Sequence, residues 1–208
     1  TGWVLSHHPN WTDYPVPGGN FNYRELTPID AISRIVQASG AVLLPLPDRK
    51  ELSITPRYPV PAWKRATTPP DKELSYSMIR ARDGQYQPEP LRRGVYVSGT
   101  TNDGELVRVQ RTGTDGALWA NMITDPLITH PQAGLQRGLA ELSSTGKRKI
   151  ENLTIPLMTQ DNEPGLLLPG ELISILQTPT QSWTGQVLGV SLAVRWQQDG
   201  LALSLIHI

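Results

Sequence analysis

Asp125, His130, Ser143 and Ser144 are the residues whose types and spacing could do chemistry: a carboxylate to orient an imidazole, an imidazole to take a proton, and a serine to attack. All four lie in TDPLITHPQAGLQRGLAELSSTGKRK, residues 124 to 149. A serine nucleophile needs an activating context, and neither serine stands in a G-x-S-x-G turn or beside a third orienting group. A capped helix accounts for the same residues. Thr129 is the expected N-cap, Pro131 falls in the first turn, and Gln132 at N3 bonds back to the cap, with Ile128 and Ala133 as a hydrophobic staple. Leu135, Gly138, Leu139 and Leu142 share one face, Gly146 is the stop, and Lys147, Arg148 and Lys149 meet the helix dipole just past the end. His130 becomes a surface residue of the first turn, so the expectation is no enzyme and no catalytic residue. His130→Ala should then leave assembly almost untouched, whereas Leu139→Asp should place a charge against a sheet.

Other chemistries find less support. His7 and His8 are adjacent, so on a strand they point to opposite faces and do not readily hold one ion together. With no Cys and no H-E-x-x-H, no metal site is expected. Gly18-Gly19 lacks the rest of a dinucleotide fingerprint, and no phosphate-cradling G-x-x-x-x-G-K-[ST] occurs, so no cofactor is expected either. The basic groups Arg92-Arg93 and 147–149 are too short to track a nucleic-acid backbone. Six Trp against one Phe is the remaining anomaly: Trp3, Trp11, Trp63, Trp119, Trp183 and Trp196 either fill the interior of small sheets or form a platform for sugar rings.

The elements that must position these residues are short. Nineteen Pro and 18 Gly in 208 residues favour strands joined by many turns. After the turn at Pro17-Gly18-Gly19, alternation predicts a strand over 21–25. A helix follows, with Thr27 as N-cap, Pro28 at its first position, Asp30 completing a T-x-x-D box, and Gly40 as its stop; its apolar stripe is Ile32, Ile35 and Val36, with Ile29 below. AVLLPL and ELSIT read as two strands, giving a βαββ unit over 20–55. The proline-rich 56–70 reads as a connection. Within 71–90, LSYSMIRAR is ambiguous and DGQYQPEP reads as turn and loop.

From residue 91 the strands expected are GVYVSG and ELVRVQ, joined as a hairpin across TTNDG, then ENLTIPL, ELISILQ, QVLGVSLAVRW and LALSLIHI. The expected fold class is therefore α+β, mostly antiparallel β: a small β-barrel or split-sheet domain over 71–208 with one covering helix, preceded by a βαββ unit with its Pro-rich connection over 1–70. Lys plus Arg and Asp plus Glu both number 19, so no global field draws the chain to nucleic acid or an anionic membrane. No apolar stretch approaches the ~20 residues of a spanning helix. The start, with Trp3 to Leu5 in mid-pattern, reads as the tail of a strand in a fragment of a longer protein.

The order GVYVSG, TDPLITHPQAGLQRGLAEL, a polar strand, LLPGELISI and then GQVLGVSLAV resembles the baseplate hub or tail-tip proteins of long-tailed phages. The segment TPIDAISRIVQASGAVLLPLPDRKELSITPRYP is similar to that family's inserted helix-and-strand unit. Order and spacing over about 150 residues carry the resemblance. The chain departs from the family at LRRG, where an aromatic-Asn pair is expected, and at the closing SLIHI, which reads as a non-native ending after about Ser204. The resemblance implies a structural role: a ring of the chain with itself, usually of three copies, joining the tail tube to the tip or spike. It implies as partners the other tail tube, tip or spike proteins, no specific nucleic acid binding and no membrane insertion. It places the chain in the virion tail, assembled in the host cytoplasm. A carbohydrate-binding module of a phage adhesion apparatus is the alternative, and it predicts exposed Trp rings on one rim.

Overall fold

The computed structural model describes residues 2–100, 105–157, 165–178, 180–192, 194–197, 200–203 and 206–207. In chain order the elements are β1 (Val4–His7), α1 (Pro28–Ala38), β2 (Ala41–Pro45), β3 (Glu51–Pro56), β4 (Lys72–Ser75), β5 (Ala81–Pro88), β6 (Gly94–Ser98), β7 (Leu106–Gln110) and β8 (Ile123–Thr124). There follow α2 (Pro131–Ser143), β9 (Lys147–Thr154), β10 (Leu172–Thr178), β11 (Gln181–Gln186), β12 (Gly189–Val190), β13 (Val194–Gln197), β14 (Gly200–Leu203) and β15 (Ile206–His207). The fold is α+β, mostly β. Its strands form five small open sheets, mixed or antiparallel, and among the described residues no sheet closes into a barrel. The split-sheet form of the expectation holds and the barrel does not, because each sheet ends in edge strands instead of returning to its first. The turn residues Thr101–Gly104 of the expected TTNDG hairpin and the Trp196 ring lie outside the described residues, as do Ser204, Leu205 and Ile208 of the SLIHI ending.

Two compact units share the chain: Thr1–Pro61 with Pro90–Gly146, and Ala62–Glu89 with Lys147–Ile208. The span 71–208, expected as one domain, contributes to both.

In the first unit a three-stranded sheet runs in the order β1-β3-β2, with β1 parallel and β2 antiparallel to β3. The first strand of the βαββ unit is thus Val4–His7. The expected strand over 21–25 is a turn, because Arg24 N donates to Asn22 Oδ1, Leu26 N donates to Tyr23 O, and Glu25 sits at φ 69°, a left-handed conformation no strand contains. α1 starts as expected: Asp30 N donates to Thr27 Oγ1 at 3.3 Å, and Thr27 Oγ1 to Asp30 Oδ2 at 2.5 Å. Val36 and Ala38 are its buried residues, while Ile29 is exposed. A second sheet, β7-β6-β8, buries Val95, Val97 and Val109, and α2 packs on that face. The contact is very close: a Cβ on Gly138 would lie 2.4 Å from Val109 Cγ2, and one on Gly134 2.6 Å from Val107 Cγ2. Two glycines four apart make the groove into which the valines of β7 fit.

In the second unit β10 is central, flanked by antiparallel β11 and parallel β4. Its run Leu172, Ile173, Ser174, Ile175 is buried throughout, as befits a strand covered on both faces. Ile173 and Ile175 cluster with Leu74, Leu153, Ile155, Leu167 and Val187. Burial of each such side chain stabilises the unit by about 1.5–3 kcal/mol relative to exposure. β9 begins at Lys147, so the basic triplet expected as a solvated tail of α2 is strand, pairing with β5 over eight residues from Ala81↔Thr154 to Pro88↔Lys147. DGQYQPEP, expected as loop, supplies most of β5, because the long ladder to β9 outweighs a weak local preference. QVLGVSLAVRW, expected as one strand, is divided among β11, β12 and β13.

Candidate functional site

The polar groups around α2 that could have made a catalytic corner bond to structural partners instead of to one another. Asp125 Oδ2 accepts from Arg34 at 2.9 Å and Oδ1 from Leu127 N at 2.9 Å, so both oxygens hold α1 and the β8–α2 turn together. His130 Nδ1 accepts from Gln132 N at 3.2 Å. His130, not Thr129, is therefore the N-cap of α2, in extended backbone (φ −149°, ψ 144°), with Pro131 as the first helical residue. Thr129 Oγ1 instead donates to Pro15 O at 2.7 Å, and Gln132 contributes its backbone N–H to the cap. Ser144 Oγ donates to Glu141 O, while Ser143 Oγ is buried with no hydrogen-bond partner among the described residues. Among the described residues no serine bonds to the imidazole.

The remaining residues of the helix pattern divide. Ile128, Ala133 and Leu142 are fully buried, and Gly138 lies on Val109; Leu139 is half-buried. Leu135, expected on the inner face, is 40% exposed, because the buried stripe follows 134, 138 and 142 at four-residue spacing. Gly40 at φ 75° and Gly146 at φ 96° occupy the left-handed positions that end each helix segment.

Three other clusters concentrate polar chemistry. On the face of the β7-β6-β8 sheet opposite α2, the Trp119 ring stacks on Tyr96 at 4.7 Å and 17°, with the Arg108 guanidinium 5.0 Å from its centroid. Leu118 at φ 63° sets this up: its carbonyl accepts from Arg93 N and the next turn returns Ala120 N to Gly94 O, which lays the indole across Gly94. A Cβ on Gly94 would meet Trp119 Cζ3 at 2.6 Å. Arg92 donates to Trp119 O at 3.1 Å, and Arg93 to Asp115 Oδ1 at 3.1 Å. The Asp115 carboxyl is held below its ordinary range by the Ala117 N–H first and by Arg93 next.

In the second unit Glu151, only 4% exposed at its side chain, accepts from Arg82 Nε at 3.0 Å and Nη2 at 2.6 Å and also pairs with Lys149. Burial pushes its pKa up, but the bonds to Arg82 and Lys149 together outweigh burial and hold it below its ordinary value. Arg82 also lies 5.3 Å over the Trp183 ring. A cavity of about 300 Å³ in the first unit is lined by Gln37, Arg57, Tyr58, Arg137, Glu141 and Ser144 among others, and Arg137 Nη1 donates into the end of α1 at Gln37 O. Among the described residues no three His, Asp or Glu side chains stand together as metal ligands, and no helix is long and apolar enough to cross a membrane. His8 Nδ1 accepts from Asn10 N, and the His7 ring packs against Trp11 at 5.7 Å.

The prophage MuSo2 43 kDa tail protein from Shewanella oneidensis matches this arrangement with a TM-score of 0.51 at 14% identity, over 98% of this chain and 58% of that one. The chain shares the fold of a phage tail protein. The tail protein of Neisseria meningitidis MC58 aligns at a TM-score of 0.49 and 11% identity, over 98% of this chain and 60% of that one. The chain thus spans about three-fifths of the length of each solved tail protein. No family model and no curated protein matches the sequence. Sequence reasoning missed the Tyr96–Trp119–Arg108 stack and the Glu151 pair. Alternation in GVYVS and LVRVQ places Tyr96 and Arg108 on polar faces, but only the pairing of the two strands makes those faces one.

Proposed function

We propose that the chain is a structural subunit of a phage tail, not an enzyme, acting at the baseplate hub or tail tip. Three copies form a ring that joins the tail tube to the tip or spike. Its partners are other copies of itself and the tube, tip or spike proteins; it acts in the virion tail after assembly in the host cytoplasm. The observation that carries this reading is the fold shared along 98% of the chain with a prophage tail protein. The use of Asp125, His130 and Ser144 as caps and ties, which leaves no activated nucleophile in that corner, supports the same reading. A ring closes by a heterologous contact repeated by rotation, and open sheets with exposed edges supply such contacts.

Multi-angle light scattering on the chain tests it. A mass of three times 23.0 kDa is expected, and a monomer at all concentrations overturns the ring. A carbohydrate-binding module needs several exposed indoles on one rim. Among the described side chains Trp3 is 60% exposed, Trp11 is buried, and Trp63, Trp119 and Trp183 are half-buried, so no observation favours that alternative. Retention of the chain on a glycan array would restore it.

A further inference from the structure

We propose that the outer edge of β7 is a docking site for an extended, acidic segment of a partner polypeptide, which joins the β7-β6-β8 sheet as a further strand. The register fixes which backbone groups are available. Arg111 N donates to Arg93 O and Gly99 N to Glu105 O, so with the pairs Val95↔Val109 and Val97↔Val107 the odd-numbered residues of β7 bond to β6. Leu106, Arg108 and Gln110 therefore turn their N–H and C=O groups away from β6. On the far side of β6 the equivalent groups are used, since Ala120 N donates to Gly94 O and Asp125 N to Ser98 O. No described residue takes up the outward groups of β7, which ends its sheet.

The side chains on those residues define the partner. Leu106 is 61% exposed, and Arg108 is exposed beside it on the same face, two residues along. Trp119 holds the Arg108 guanidinium in place, and Arg92 bonds to the Trp119 carbonyl. Among the described residues no carboxylate pairs with Arg108, whose Nη2 donates to Gln110 Oε1 at 3.4 Å; Glu105 lies at the far end of the strand. An incoming strand with a carboxylate beside Arg108 and an apolar side chain beside Leu106 satisfies both groups, while a basic strand is repelled. The inference is independent of the tail reading: a monomeric chain leaves it standing.

The test uses two synthetic peptides, TVEVLVT and TVKVLVT, titrated into the full chain and followed by backbone amide shifts and hydrogen exchange. Binding of the Glu peptide should shift and protect the Leu106, Arg108 and Gln110 amides, with the Lys peptide about tenfold weaker. Arg108→Glu, at an exposed position, should reverse that order. Equal affinity for the two peptides, no binding of either, or shifts centred away from β7 would each overturn the proposal. So would self-association of Arg108→Thr beyond that of the unsubstituted chain at the same concentration, which would make Arg108 a guard against edge pairing with other copies of the chain.

Discussion

His130 carries the difference between a type of residue and its use. An imidazole near an aspartate and two serines invites a catalytic reading, but its Nδ1 accepts the Gln132 N–H and begins a helix. His130→Ala should destabilise the first unit by about 1 kcal/mol, the usual cost of a lost N-cap, and His130→Asn should restore most of it; urea denaturation of the three proteins checks this. Local sequence favours Thr129 as the cap because Thr is a common cap residue, and only its bond to the Pro15 carbonyl, 114 residues away, shows why it is otherwise engaged. Glu151 was not legible at all, since its partner Arg82 is 69 residues away and meets it only through the β5–β9 register. Its carboxyl is held low in the fold and returns to about 4.3 when unfolded. The sign follows: its contribution is present above the unfolded value and is lost as pH falls through the lower folded one. Glu151→Gln should therefore cost about 1–3 kcal/mol at neutral pH, and the loss should shrink in acid, below about pH 4. Thermal midpoints of both proteins from pH 7 to pH 2.5 measure it, and a difference independent of pH would sink the assignment.

Elements were legible where local chemistry and tertiary demand agree. α1 has a capping box at one end, a glycine at the other and a buried Val36 between, and it forms where expected. β6 and β7 alternate with period 2 and pair as expected, since Val95, Val97 and Val109 have a helix to pack against. Residues 21–25 alternate too, yet local side-chain bonds and a left-handed Glu25 make them a turn; β5 alternates poorly, yet β9 makes it a strand. The inner face of α2 shows the same lesson at finer grain: counting leucines selects Leu135, whereas the fit onto β7 selects Gly134 and Gly138. Gly138→Ala therefore separates propensity from packing. Alanine favours a helix by about 1 kcal/mol, but a methyl 2.4 Å from Val109 Cγ2 forces the helix off the sheet, and overpacking costs about 1–3 kcal/mol. Lower thermal stability is expected, with partial recovery in Gly138→Ala combined with Val109→Ala. A more stable single variant would mean that α2 does not lie against β7 as described.

At the scale of the chain, the order of segments and the division into units are different things. The proline-rich run near residues 56–70 looks like a boundary, but the first unit resumes at Pro90 and ends at Gly146. Its two stretches are tied by Arg34 to Asp125, Thr129 to Pro15, Gln136 to the Thr12 carbonyl and Arg137 to the Gln37 carbonyl. Nothing local in residues 1–61 announces these bonds, which close loops of about 90 to 125 residues and become favourable only once both stretches are in place. A chain cut to residues 1–70 keeps α1 and the β1-β3-β2 sheet and loses every one of them, along with α2. A chain cut to 1–146 keeps both stretches of the first unit and loses the strands from β9 onward. The expected outcome is cooperative thermal unfolding and slow amide exchange in α1 for 1–146, and neither for 1–70, measured by circular dichroism and hydrogen exchange. A cooperative 1–70 would mean that the first sheet and helix hold a core of their own. In that case the bonds from α1 to Asp125 and Arg137 join two independent parts and do not help to build one.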